Sequence, residues 1–131
     1  MFSDRIVADG SLRRTADGFA VDIRSNWYRA LPLASFALLE VSVDGLSVPA
    51  ECLSVQINGR TRTLEEMAPE LDEYWYVLDP ATVYVAEHPL AAGEHTVTVR
   101  LGQRAPYILH GPSIEDVLVV VEECTKTLTA A

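Results

Sequence analysis

Apolar and polar residues alternate along most of this chain. In "GFAVDIRS", Phe19, Val21 and Ile23 share one side, and Asp22 and Arg24 the other. "LLEVSVDG" repeats the pattern with Leu39, Val41 and Val43 against Glu40, Ser42 and Asp44. "CLSVQING" does so with Leu53, Val55 and Ile57, and "EHTVTVRLG" with Val97, Val99 and Leu101. A period of two puts successive side chains on opposite faces of a strand. Each stretch therefore predicts a strand with one face on a core and one in water.

The punctuation between these stretches agrees. Asp44-Gly45 and Asn58-Gly59 are dipeptides that accept the positive φ angles of type I′ hairpin turns. Ala92-Gly93 suits a further turn, so "ATVYVAE" and "EHTVTVRLG" are expected to form a hairpin. "TLEEMAPE" carries Thr63 with Glu66 three residues on, a capping box that predicts one helical turn, and Pro69 stops it early. The expected fold is all-β: an antiparallel, Ig-like β-sandwich with at most one short helical turn, forming a single domain over residues 1–131. The run Val117 to Val121, "VLVVV", does not alternate. It fits a strand buried on both faces, and equally a strand whose outer face meets another protein.

Charge narrows the partners. The net charge of −9 opposes binding to nucleic acid or to an anionic membrane surface, both of which need clustered Lys and Arg. No apolar run approaches the roughly 18 residues of a membrane span. "MFSDRIVADG" lacks the apolar stretch of a signal peptide, so a cytoplasmic location is expected. The two cysteines, Cys52 and Cys124, form no CxxC motif and read as buried thiols, with Cys52 in a strand-like core position.

Self-contained chemistry is hard to find. His88, His95 and His110 share no close metal-ligand spacing. His95 has the parity of Val97 and Val99, so it should end a core-facing row. There is no GxSxG, GxGxxG or P-loop. Catalytic and metal-ligating residues are therefore expected to be none.

Aromatic residues give the better signal. In "DEYWYVLDP", a strand turns Trp75 away from Tyr74 and Tyr76, so one face is core and the other shows aromatic surface. "NWYRALPLASF" gathers Trp27, Tyr28 and Arg29 in a connection, and Pro32 restricts the backbone there. Tyr, Trp and Arg are enriched at protein interfaces. Together with Tyr107 and His110 of "PYILHGP", these residues are the candidates for a partner interface or an active-site entrance.

The order of motifs adds a resemblance. "YRALPLASFALLEVSVDGLSVP" is followed by "VQINGRTRTLEEM", "YWYVLDPATVYV" and "LAAGEHTVTVRL", and the tail runs from "PYILHGP" to "KTLT". This succession resembles the small β subunit of bacterial C-glycoside deglycosidases over nearly the whole chain. The resemblance implies a heteromeric lyase acting on a C-glycoside oxidised to a ketone at sugar C3. The partner it implies is a TIM-barrel α subunit similar to sugar isomerases, which holds a divalent metal, manganese, and the base. This chain then carries no cofactor, is inactive alone, and stabilises the barrel or shapes its entrance. The alternative is a carbohydrate-binding or general protein-interaction sandwich module.

Overall fold

Where β-branched and aromatic residues alternate with polar ones, the chain forms strands. The computed structural model describes residues 6–25, 31–70, 73–76, 79–109 and 117–130, with backbone alone at 31, 32, 34, 104–109 and 117–120. The strands are β1 (Arg13–Arg14), β2 (Phe19–Ile23), β3 (Leu31–Pro32), β4 (Phe36–Val43), β5 (Leu46–Ser47) and β6 (Leu53–Ile57). β7 (Arg60–Arg62), β8 (Tyr74–Trp75), β9 (Ala81–Val85), β10 (Gly93–Leu109) and β11 (Val117–Ala130) follow. They build a five-stranded sheet in the order β1-β2-β9-β6-β7, a four-stranded sheet β11-β10-β4-β5, and a two-stranded sheet β3-β8. The pairings between these strands are antiparallel.

The result is the expected all-β sandwich. β2 and β6 begin and end where the alternation does. Apolar side chains from both large sheets, including Phe19, Val21, Val55, Val83, Val41, Val99 and Leu101, join one buried cluster. The two dipeptide turns form as expected. Asp44 and Asn58 take φ of 52° and 55°, and the glycines after them 82° and 80°. They close β4 onto β5 and β6 onto β7, pairing Val43 with Leu46 and Ile57 with Arg60.

The predicted hairpin between "ATVYVAE" and "EHTVTVRLG" does not form. β9 already has β2 on one edge and β6 on the other, so no edge remains for β10. β10 instead pairs with β4 and β11, and residues 86–92 cross from one sheet to the other. Alternation reports which face of a strand is buried but not which sheet it joins.

Thr63 caps α1 (Leu64–Met67) through the reciprocal box with Glu66. Two 3-10 turns, Leu33–Ser35 and Ala50–Cys52, accompany this helical turn. Cys52 therefore ends a turn rather than lying in a strand, and it is half-buried rather than buried; Cys124 is buried, and both are free thiols. "VLVVV" opens β11, where Val121 is exposed. No helix among the described residues is long and apolar enough to cross a membrane.

The sandwich has two ends. At one, Asp44-Gly45 and the crossing 86–92 turn the chain between strands; this is the turn end. At the other, Ile23 pairs with Ala81 and Phe36 with Gln103. The Asn58-Gly59 turn and β8 belong to this second end, as the contacts below show.

Candidate partner-facing site

At the second end, β8 lies against β3, pairing Leu31 with Trp75 and Pro32 with Tyr74. The Leu33 amide donates to the Glu73 carbonyl at 2.8 Å and extends this small sheet. Alternation then sorts the aromatic run as the sequence predicts. Trp75 is buried at 1% exposure, while Tyr74 and Tyr76 are 40% and 55% exposed. The Trp75 ring stacks on Phe36 with centroids 5.1 Å apart, and its Nε1 donates to the Asp79 carbonyl at 2.8 Å. That bond satisfies the polar edge of a buried indole.

A polar network fixes the segment from below. The Asn58 Nδ2 donates to Glu73 Oε2 at 3.1 Å and to the Tyr74 carbonyl at 3.0 Å. The Arg62 Nη2 donates to Glu73 Oε1. The Asn58 bond, then the Arg62 bond, hold the Glu73 carboxyl below the usual carboxylate range. Arg62 is opposite the buried Val55 in the sheet and is only 3% exposed. Its Nε and Nη1 meet no acceptor among the described residues. A buried cation with one partner is costly, so its retention calls for an explanation beyond stability.

The buried polar residues gather here. Among the described residues these are Ser25, Ser35, Arg62 and Gln103. Ser25 Oγ donates to Gln103 Oε1 at 3.0 Å, tying the end of β2 to β10 across the interior.

The sequence-predicted site residues distribute as follows. Tyr74, Trp75 and Tyr76 lie at this end, with Trp75 serving the core rather than the surface. Pro32 lies in β3 beside them. Trp27, Tyr28 and Arg29 fall outside the described residues, but the flanking Ser25 and Leu31 both belong to this end. Tyr107 lies on β10, beyond its pairing with β4, and His110 falls outside the described residues.

The remaining chemistry is elsewhere. His95 ends the core-facing row of β10 at the turn end. Its Nδ1 is 2.6 Å from Asp44 Oδ2 and its Nε2 is 2.7 Å from the Ala91 carbonyl. Both neighbours are acceptors, so the ring is suited by carrying both protons. The Asp44 bond, then the Ala91 carbonyl, push the His95 pKa above its ordinary value. The His95 bond, then the Thr96 amide, hold Asp44 below its own. His88 packs edge-on against Phe19 with centroids 5.7 Å apart. Burial, then the charges of Glu87 and Glu51, push the Cys52 thiol up and away from nucleophilic character. Among the described residues no three His, Cys, Asp or Glu side chains group to hold a metal ion. A shallow cleft of about 300 Å³ beside β4, lined by Ser42, Ser47, Thr98 and Arg100 among others, includes none of the candidate residues.

Arg62, Glu73, Asn58 and Gln103 were not among the sequence candidates. Two of them had a legible signal. A two-residue turn at Asn58-Gly59 sets Arg62 opposite Val55, a core position. Gln103 continues the row of His95, Val97, Val99 and Leu101. Glu73 and Asn58 meet only through the tertiary fold.

A family model described as C-glycoside deglycosidase beta subunit matches residues 2–107. A C-glycoside deglycosidase beta subunit of Microbacterium trichothecenolyticum is 38% identical over 130 residues, covering 99% of this chain and 98% of the relative. One from Arthrobacter globiformis is 38% identical over 135 residues, covering 100% and 98%. A 3'-dehydrocarminate deglycosidase beta subunit from a Microbacterium species is 40% identical over 108 residues, 82% of each chain.

Proposed function

Because this chain belongs to the C-glycoside deglycosidase beta-subunit family, we propose that it is the small accessory subunit of a heteromeric lyase. The large subunit, on this reading, is a TIM barrel similar to sugar isomerases. Together they cleave the C–C bond between a 3-oxo sugar and its aglycone. The name of one relative, a 3'-dehydrocarminate deglycosidase beta subunit, supports an oxidised sugar as the substrate form.

The chemistry is an elimination. A ketone at C3 acidifies the C2 proton. A base removes it, and the electron pair forms an enolate. The enolate reforms the ketone, makes the C1–C2 double bond and expels the aglycone carbon, which takes up a proton. The described residues of this chain do not fit a divalent metal, since no suitable donor group occurs among them. We assign the metal and the base to the large subunit.

The observation that carries the reading is the unequal division of the sandwich. Exposed tyrosines and buried polar groups concentrate at one end, while the described histidines lie at the other. This end then presses against the partner and walls its entrance, because barrel active sites lie at the loops of one face. The test is co-expression with the barrel subunit and an assay on a 3-oxo C-glycoside. The expected result is a co-purifying, active heteromer and an inactive lone chain. Full activity of the lone chain overturns the proposal.

A further inference from the structure

The segment bearing Tyr74 and Tyr76 lies in an acidic stretch of the sequence. From Thr63 to Val99 the sequence contains no lysine or arginine. The same stretch carries Glu65, Glu66, Glu70, Asp72, Glu73 and Asp79 on either side of the aromatic run in sequence, and Arg62 and Arg60 are the cations whose charges reach Glu73. Tyrosine faces beside carboxylates are the surface a guanidinium binds best, by stacking on the ring and pairing with the carboxylate. The presentation is also rigid. Glu73 is bonded by Asn58 and Arg62, its carbonyl accepts from Leu33, and the intervening Trp75 is locked between Phe36 and the Asp79 carbonyl.

We propose that Tyr74 and Tyr76, positioned by the network that joins the buried Arg62 to Glu73 and Asn58, anchor this chain on an arginine-bearing, cationic face of its large subunit. The proposal rests on the reading of this chain as a heteromer subunit. It also explains the buried Arg62. An ion pair of this kind contributes little net stability compared with apolar side chains, but it fixes one arrangement of what it holds. Here it fixes the display of both tyrosines. Ordering the anchor in advance removes an entropic cost from docking. Arg62, Glu73 and Asn58 are positioning residues in this scheme, and the tyrosines make the contact.

The test measures association of the purified chain with the large subunit, beside the melting temperature of the lone chain. Tyr74→Ala/Tyr76→Ala should weaken association by about tenfold or more with the melting temperature nearly unchanged. Arg62→Met/Glu73→Gln replaces the ion pair with neutral groups of similar volume. It should also weaken association, while the lone chain melts no lower. A merely structural network would lower stability and association together, and that result overturns the positioning role. Raising salt from about 50 to about 500 mM should weaken the wild-type complex. A salt-independent affinity overturns the cationic face. Unchanged association of the double tyrosine variant overturns the anchor, as does NMR perturbation of both tyrosines in the lone chain by a 3-oxo C-glucoside, which makes them a sugar platform instead. Failure of the wild-type chain to associate counts against the heteromer itself and is read directly from the control.

Discussion

At the turn end of the sandwich, tight turns and one charged clasp do the closing. Asp44 supplies a positive φ, accepts from the Thr96 amide at 2.9 Å and meets His95, which also meets Ala91. At the opposite end no such economy applies. A separate two-stranded sheet, a buried indole and a buried arginine hold a short aromatic segment in one place. Both ends complete the same core, yet among the described residues the buried polar side chains lie at the second. Packing alone does not need those groups. Their concentration beside exposed tyrosines is what the proposed docking of that end draws on.

Experiments can break this contrast, beginning with the largest effect. Trp75→Ala removes the aromatic end's core plug. It should cost about 3–5 kcal/mol in chemical denaturation and disturb the whole sandwich. A loss confined to association with the large subunit would show that the indole is surface rather than core. Gly18→Ala tests the turn end. A β-carbon there would lie 1.8 Å from the Val85 carbonyl oxygen, so the backbone must move. The expected loss is about 3 kcal/mol, read from denaturant midpoints, with association of the surviving folded chain unaffected.

A smaller effect follows from the clasp. His95 has a folded pKa raised above 6.5, so its stabilisation is complete below 6.5 and fades as pH rises through the folded value. Asp44 has a folded pKa lowered below 3.8, so its stabilisation is present above 3.8 and fades as pH falls through the folded value. The clasp therefore contributes most between pH 3.8 and 6.5. Thermal melts of wild type against His95→Gln should differ most in that window and converge on the alkaline side. A constant difference would remove the charged clasp from the account. The smallest effect belongs to the surface. Arg100→Ala breaks an exposed ion pair with Glu40 at 3.0 Å and should change stability by less than about 0.5 kcal/mol.

The sequence was most legible where local chemistry decides. The edges of β2 and β6, both dipeptide turns and the Thr63 box are set by residues near each other in the chain. Trp75 and its neighbouring tyrosines sorted correctly because strand geometry leaves two faces and only one core. The expected β9–β10 hairpin failed because adjacency in sequence says nothing about edges already taken by β2 and β6. Cys52 departs from its expected strand-like position because a 3-10 turn inserts before the strand that its neighbours begin. Arg62 carries a charge that ordinarily faces solvent, and only the hairpin register, which places it opposite Val55, turns it inward. The bond from Asn58 to Glu73 spans two separate turns of the chain, and no local pattern announces it.

The stretch without basic residues also governs how this molecule can be mapped. Between Arg62 and Arg100 there is no site for trypsin, so the whole aromatic segment leaves a digest as one long peptide. Amine-reactive cross-linkers find no lysine on it either. Its carboxylates, however, can be coupled directly to lysines of a bound protein by a carbodiimide, with no spacer between them. The charge distribution invoked in the proposed docking thus also selects the reagent able to record the encounter.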